Sequence, residues 1–319
     1  MKFGLHVGSF SWPGSPENIS EKLTEIAQAA DDAGFYSLTV MDHLFQLGEL
    51  YGEIHGPLDE PMLEGYTTIS YLAAKTKNIR FGLLATCPFF RPPGYLLKMV
   101  STLDVLSGGR AMLPIGAGWF EEEAAGLGIP YPVTWTERFE RLEEILQIAQ
   151  QMWKGDTAPF AGKHYQLANP INQPAPVSEP HPPLIVCGGG EKKTLRLVAE
   201  YADATNLVVG SPCAIESFEV LARKEDSYED WLKAKSALLQ HKLDVLRDHC
   251  KAVGRPYDAI EKSIVTYIKV GEDGMNTDEI LQLCKDFESL GFQYVIFVIS
   301  NVHEIKPLQM IGEKVIPEF

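Results

Sequence analysis

The sequence predicts an α/β fold in which eight parallel strands close into a barrel. Apolar runs of strand length alternate with helical patterns along the whole chain, and 319 residues are enough for one such barrel. Regular alternation indicates a parallel sheet, and eight units close naturally into a (β/α)8 TIM barrel. A doubly wound open sheet is the alternative. Its typical Gly-x-Gly-x-x-Gly turn is missing after the first strand, where residues 8–12 read Gly-Ser-Phe-Ser-Trp.

Each predicted strand is a short apolar run. The runs are Phe3–Val7, Tyr36–Met41, Ile79–Thr86, Arg110–Gly116, Leu184–Cys187, Ala204–Val209, Ser263–Val270 and Tyr294–Ile299. The predicted helices are Ser20–Ala33, Tyr66–Thr76, Tyr95–Leu106, Thr136–Trp153, Lys192–Tyr201, Tyr228–Ala252 and Thr277–Leu290. Because alternation resumes after the Pro- and Gly-rich segment Lys154–Pro183, we predict that this segment is an insertion within a single domain, residues 1–319.

The composition is that of an ordinary globular enzyme, with 45% hydrophobic and 22% charged residues. A formal net charge of −15 argues against a broad surface for nucleic acid or anionic membranes, because either needs clustered Lys and Arg. No apolar run approaches the roughly 18 residues of a membrane span, so we expect a cytoplasmic protein. The five cysteines are scattered without a Cys-x-x-Cys pair, which favours free buried thiols.

Asp42 and His43 stand directly after the second predicted strand. Barrel enzymes place their chemistry at the carboxyl ends of the strands, and an acid beside a histidine there can bind and protonate a polar ring. An aspartate that only caps the following loop, next to an exposed histidine, is an equally plain interpretation of these two residues alone.

The other strand ends are mostly small and apolar, which suits a flat aromatic cofactor better than a metal cluster. The first strand carries the single histidine His6 rather than His-x-His, so we expect no metal site. The turn Gly116-Ala117-Gly118 permits a ligand to lie against backbone, or else relieves crowding at the strand end.

A second glycine-rich turn, Gly188-Gly189-Gly190, leads into a predicted helix with Thr194 close behind. Free backbone amides, the helix dipole and a hydroxyl would converge there, so we predict that this turn binds a phosphate. Lys192 and Lys193 either add positive charge to the site or are simply solvated.

Several segments in the same order resemble the bacterial-luciferase-like superfamily of flavin and deazaflavin oxidoreductases. They are Phe3-Gly4-Leu5, Met41-Asp42-His43, the stretch from Gly108 to Trp119 and the stretch from Pro183 to Ala204. The resemblance covers essentially the whole chain. It implies an eight-stranded barrel with a long insertion, usually a homodimer, that holds FMN or the deazaflavin coenzyme F420 at the carboxyl ends of the strands.

Residue roles carry over from the deazaflavin-dependent branch of this superfamily. By this resemblance Asp42 would position the cofactor ring and His43 would donate or accept the proton. The resemblance also implies a cis peptide between Leu84 and Ala85. The implied cofactor contacts are Asp42, Leu84, Ala85, Cys87, Gly116, Ala117, Gly118, Gly188, Gly189, Gly190 and Thr194.

A second acid-base group is missing from the pattern, since Trp119 stands where members of that branch often have a glutamate. Glu121, Glu122 and Glu123 follow it, and we predict that they are solvated charges at the start of a helix. No basic residue adjoins the turn after Val209, so an apolar or weakly polar small molecule is the expected substrate. Aromatic residues predicted to line its pocket are Phe10, Trp12, Phe45 and Trp119, with Phe89 and Phe90.

The leading functional hypothesis is hydride transfer between coenzyme F420 and a small organic substrate. One alternative is an FMN-dependent monooxygenase that acts through a flavin peroxide. Another, of a different class, is a barrel that binds its cofactor without turnover.

Overall fold

The computed structural model of the protein describes residues 1–48, 57–210, 212 and 227–319. Eight parallel strands form one sheet. They are β1 (Lys2–Val7), β2 (Ser37–Val40), β3 (Arg80–Leu83), β4 (Leu113–Ile115), β7 (Leu184–Cys187), β8 (Ala204–Gly210), β9 (Glu261–Ile268) and β10 (Tyr294–Ile299). Their order in the sheet is β3-β2-β1-β10-β9-β8-β7-β4.

The two outermost strands of that sheet, β3 and β4, meet and close it into a barrel. Parallel bridges join Phe81 to Ala111 and Thr86 to Ile115, and the amide of Thr86 donates to the carbonyl of Pro114 at 2.9 Å. An open doubly wound sheet would leave these strands unpaired. The predicted (β/α)8 barrel is therefore confirmed.

Helices cover the outside of the barrel. They are α1 (Ile19–Asp32), α2 (Gly65–Ala73), α3 (Pro93–Ser107), α4 (Glu121–Gly126), α5 (Trp135–Trp153), α6 (Thr194–Tyr201), α7 (Tyr228–Val253), α8 (Thr277–Ser289) and α9 (Lys306–Lys314). Local signals set several of their ends: Glu64 accepts from the first amides of α2, and Asn276 and Glu279 form a capping box on α8. No helix of the described residues is long and apolar enough to cross a membrane.

The sequence-based prediction includes the helix start at Glu121 that becomes α4, but it lacks α9 and a hairpin of β5 (Phe160–Ala161) with β6 (Gln166–Leu167). The hairpin lies in the predicted insertion, and strands of two residues are too short to show alternation. A distant contact stabilises it instead, because the Glu144 carboxylate on α5 accepts from the amides of Lys163, His164 and Tyr165. Such a contact cannot be inferred from local periodicity.

Candidate active site

A cavity of about 400 Å³ opens at the carboxyl ends of the barrel strands; we call it the strand-end cavity. Its lining includes both predicted catalytic residues and most of the predicted cofactor contacts. These are Asp42, His43, Leu84, Ala85, Cys87, Gly116, Ala117, Gly118, Gly188 and Thr194. Residues that lie up to about 150 positions apart in the sequence thus share one cavity, as expected at this face of a barrel. Within the described residues, no cluster of three or more His, Cys, Asp or Glu is placed to hold a metal ion.

The floor of the strand-end cavity is formed by backbone and small side chains. The peptide bond between Leu84 and Ala85 is cis, as predicted. A β-carbon added to Gly116 would lie 3.6 Å from the Ala85 Cβ, whereas one added to Gly118 would clash with the Tyr131 hydroxyl oxygen. Gly118 also has a φ of +62°, so only glycine fits there without displacing Tyr131.

Asp42 forms a buried ion pair with Arg91. The Arg91 Nη1 and Nη2 atoms donate to the two Asp42 carboxylate oxygens at 2.8 and 2.9 Å, and the Cys87 amide donates to one of them at 2.8 Å. Burial lowers the pKa of Arg91, but its hydrogen bonds to Asp42 outweigh burial and raise that pKa. Burial pushes the pKa of Asp42 up, against the same hydrogen bonds. Asp42 therefore stabilises the fold through Arg91 and the Cys87 backbone, in addition to any contact with a ligand.

His43 pairs with Glu123, and the prediction that all three consecutive glutamates are solvated is wrong for this one. The Glu123 side chain is 2% exposed, and its carboxylate lies 2.7 Å from His43 Nδ1 and 2.6 Å from the amide nitrogen of Leu44. Glu121 and Glu122 are exposed as expected. Since α4 begins at Glu121, Glu123 and Ala124 share its buried face with Phe120.

A helical i, i+3, i+4 spacing relates Phe120, Glu123 and Ala124 in the sequence. This spacing was the signal that Glu123 points inward with its two apolar neighbours. A carboxylate can only accept at Nδ1, so His43 must donate its Nδ1 proton to Glu123. That tautomer leaves Nε2, on the other side of the ring, as the nitrogen available to a ligand. Glu123 is thus a buried carboxylate that contacts His43.

Aromatic rings surround the His43 side chain. The centroid of its ring is 5.6 Å from that of Trp119 and 6.0 Å from that of Phe120, both in edge-on geometry. Trp119 lines the strand-end cavity as predicted and is 42% exposed. The imidazole is therefore held between a buried carboxylate and two rings, which restricts its rotation.

The predicted aromatic pocket is only partly assembled. Phe10 and Trp12 pack edge-on against each other in the core and do not line the strand-end cavity. Phe45 also lies outside the lining and packs behind it, against Phe120. The sequence alone could not distinguish these core rings from Trp119, because an aromatic residue in the core and one that lines a cavity have the same local sequence pattern.

The glycine-rich turn follows β7, which lies three strands around the barrel from β2, the strand that precedes His43. Gly188 has a φ of +118°, and a β-carbon on Gly190 would lie 2.7 Å from the Thr194 hydroxyl oxygen. The Gly188 amide donates to the Asn206 carbonyl at 2.9 Å, so this amide is not free for an anion. The amides of Gly189 and Gly190 make no backbone hydrogen bond within the described residues.

The lysines near this turn differ in whether they form an ion pair. Lys242 of α7 pairs with the Glu191 carboxylate at 2.5 Å. Lys193 lies with its ammonium 5.3 Å from the ring centroid of Phe139, which lines the strand-end cavity, and forms no ion pair within the described residues. Lys192 is exposed. Neither Lys193 nor Lys192 forms an ion pair within the described residues, and Lys193 is the one that lies beside the cavity-lining ring of Phe139.

The cysteines that the structure describes, Cys87, Cys187, Cys250 and Cys284, are free thiols. Burial raises the pKa of Cys87 and of Cys187 to about 12, so both are protonated at neutral pH. Cys213 and its neighbour Ser211 lie outside the described residues.

Comparison with known proteins decides the family. A family model described as luciferase-like monooxygenase matches residues 1–225. The protein belongs to that family. Members of this luciferase-like family are oxidoreductases and monooxygenases, in agreement with the barrel and the cavity at its strand ends.

Its relatives have different activities. The chain is 32% identical over 149 residues to the pyrimidine monooxygenase RutA of Acinetobacter baylyi, a match that spans 46% of this chain and 39% of RutA. It is 23% identical over 336 aligned positions to the F420-dependent glucose-6-phosphate dehydrogenase of Microbacterium testaceum, which covers 97% of this chain and 96% of that enzyme.

A solved structure with the same fold is the oxygenating constituent of 3,6-diketocamphane monooxygenase from Pseudomonas putida, in complex with FMN. Its TM-score is 0.72 at 16% identity, and the match covers 100% of this chain and 98% of that one. Of these two proteins, the first is named for F420 and the second contains FMN.

Proposed function

We propose that this protein transfers a hydride between coenzyme F420 and a small, weakly polar organic substrate, with His43 as the proton carrier. The observation that carries the proposal is the pair of His43 with the buried Glu123 at the edge of the strand-end cavity, at 2.7 Å. Hydride transfer to a carbonyl must be accompanied by transfer of a proton to the oxygen, and an oriented imidazole supplies one near neutral pH.

The residues present fit a flat ring with a phosphate at one end. Small residues at the ends of β3 and β4 leave a floor without projecting side chains, and the crowding of Gly118 by Tyr131 shows that this floor tolerates no β-carbon there. Thr194 and Lys193 would hold the phosphate at the far edge. When bound, the cofactor supplies the redox chemistry of the reaction.

The chain's own residues supply orientation and one proton. Glu123 would hold His43 in the tautomer that presents Nε2 and would stabilise the imidazolium when Nε2 takes up a proton. Asp42 and Arg91 would hold the Cys87 backbone at the cavity wall. Trp119 and Phe120 would exclude water from the imidazole, which strengthens its pair with Glu123.

FMN-dependent monooxygenation is the second candidate, favoured by the 32% identity to a pyrimidine monooxygenase over 149 residues and by the shared fold with a monooxygenase that contains FMN. In that case the protein would bind reduced FMN and consume molecular oxygen. A non-catalytic barrel is the third candidate, and an oriented pair such as His43 with Glu123 would then have no chemical role.

Formation of a homodimer and a cytoplasmic location stay predictions of the sequence.

The deciding experiment is titration of the purified protein with F420 and, separately, with FMN, followed by quenching of cofactor fluorescence. We expect F420 to bind at least about tenfold more tightly. Tighter binding of FMN, together with oxygen consumption when it is reduced, would replace the F420 proposal by the monooxygenase. Binding of a cofactor without turnover of any carbonyl or alcohol tested would favour the non-catalytic barrel.

A further inference from the structure

A second and larger cavity lies beside the strand-end cavity. This rim cavity has a volume of about 790 Å³ and lies between the start of α3, the segment 129–133 and the β5–β6 hairpin. Phe89 and Phe90, predicted from the sequence to line the substrate pocket, line the rim cavity instead of the strand-end cavity. The proposed function makes no use of the rim cavity.

The two cavities share a wall. Tyr131 lines both of them, and its ring is held by the edge of Phe89 at 5.2 Å and by the Arg138 guanidinium at 4.7 Å. The buried ion pair also connects them, because Asp42 lines the strand-end cavity and Arg91 lines the rim cavity. One aromatic side chain and one ion pair therefore separate the two spaces.

The volumes indicate how a substrate and a cofactor would be divided between them. Sites for small molecules usually have about 300 to 1,000 Å³, so the strand-end cavity, at about 400 Å³, is near the lower limit. With a three-ring cofactor in place, it has room for the reactive end of a substrate and little more. The adjoining rim cavity is large enough for the remainder.

The lining of the rim cavity indicates the chemistry of that remainder. Aromatic rings, prolines and aliphatic side chains dominate it. Its charged groups are already paired: Arg141 with Glu137 at 2.7 Å, and His164 with Glu140 at 2.8 Å. An anionic group such as a sugar phosphate would have to displace a carboxylate, whereas an apolar group has only water to displace.

We propose that the rim cavity binds the apolar distal part of an extended substrate, aromatic or alicyclic, whose reactive end passes Tyr131 to reach His43. The inference rests on the proposed function, because a strand-end cavity without a cofactor ring would hold a small substrate by itself. Tyr131 then sets how far such a substrate can extend from the reacting atoms.

The first test uses N-phenyl-1-naphthylamine, a neutral apolar dye that fluoresces when it leaves water. Val133 lines the rim cavity and is 82% exposed, so Val133→Trp should obstruct the cavity without disturbing the core. We expect it to weaken dye binding by at least about fivefold. The matched control is Val177→Trp, at a valine that is 53% exposed and lies outside both cavities, and it should leave affinity unchanged. Equal affinities in the two variants, or no binding to the wild type, would overturn the inference.

The second test repeats the dye titration on protein saturated with F420 or FMN, whichever binds. The dye should still bind with nearly the same affinity, and in Tyr131→Ala it should also shift the absorbance of the bound cofactor, because the wall is removed. Displacement of the cofactor by the dye would place both in one site and overturn the inference. Failure of both cofactors to bind the wild type would instead overturn the proposed function, and the effect of Val133→Trp on the dye would remain a separate result.

Discussion

The two ends of the strand-end cavity differ in how their charges are arranged. Around His43, each buried carboxylate meets a partner from a distant part of the chain: His43 for Glu123, and Arg91 for Asp42. At the glycine-rich turn Lys242 of α7 pairs with Glu191, but Lys193 has no carboxylate partner within the described residues. The His43 end is therefore organised before any ligand arrives, whereas the glycine end keeps a cation for an incoming anion.

Removal of the proton carrier should have the largest effect. We expect His43→Ala to lower turnover by about 100-fold to 10,000-fold while cofactor affinity changes little, because the lost group acts on the reaction rather than on binding. The measurements are steady-state kinetics and cofactor titration, and added imidazole should restore part of the rate. Near-normal turnover between about pH 5 and 9 would mean that His43 is structural and would favour oxygen chemistry.

Loss of the cation behind Asp42 should have the next largest effect, on folding. Arg91→Met would leave the Asp42 carboxylate buried without a cation, and we expect the free energy of unfolding to fall by about 3 to 5 kcal/mol. Chemical denaturation measures this. The matched control is Arg141→Met, which breaks a half-exposed pair with Glu137 and should cost at most about 1 kcal/mol.

The same pair allows the two roles of Asp42 to be separated. Adding Asp42→Asn to Arg91→Met should recover part of the lost stability, because no charge then stays buried alone. Asp42→Ala should mainly weaken cofactor binding if this residue positions the ring. A stable Asp42→Ala variant with unchanged cofactor affinity would contradict that role.

Glu123 should act on His43 and not on the cofactor. Glu123→Gln keeps the shape but lets the side chain donate to Nδ1, which favours the wrong tautomer, so we expect turnover to fall on the order of 100-fold. The pH profile of the rate should change as well, a result that a merely structural glutamate would not produce. Glu122→Gln, on the exposed side of α4, is the control and should behave as the wild type.

The smallest effect should be at the glycine end. Lys193→Met removes the unpaired cation, so we expect FMN affinity to fall by roughly threefold to tenfold and to depend less on salt, while riboflavin, which lacks the phosphate, binds as before. Fluorescence titration in low and moderate salt measures this. Lys192→Met makes the same charge change one residue earlier, at an exposed position. Equal losses in the two variants would mean that Lys193 contributes only through net charge.

Signals between neighbouring residues were enough to predict the barrel, its eight strands, the strand-end position of Asp42 and His43, and the glycine-rich turn before Thr194. The cis bond at Leu84 was predicted from the family resemblance. Apart from that bond, the evidence lies within a few residues, since strand and helix periods and turn glycines are local properties of the chain.

Only the tertiary structure decided which charges are paired and which rings line a cavity. Glu123 was predicted to be a solvated glutamate, but α4 turns it toward His43, 80 positions earlier in the chain. Arg91, which no sequence signal singled out, pairs with Asp42, 49 positions away. Phe10 and Trp12 are in the core while Trp119 is not, although all three follow strands. The physical reason is that burial and pairing depend on which distant segments fold against a residue, and no local pattern records that contact.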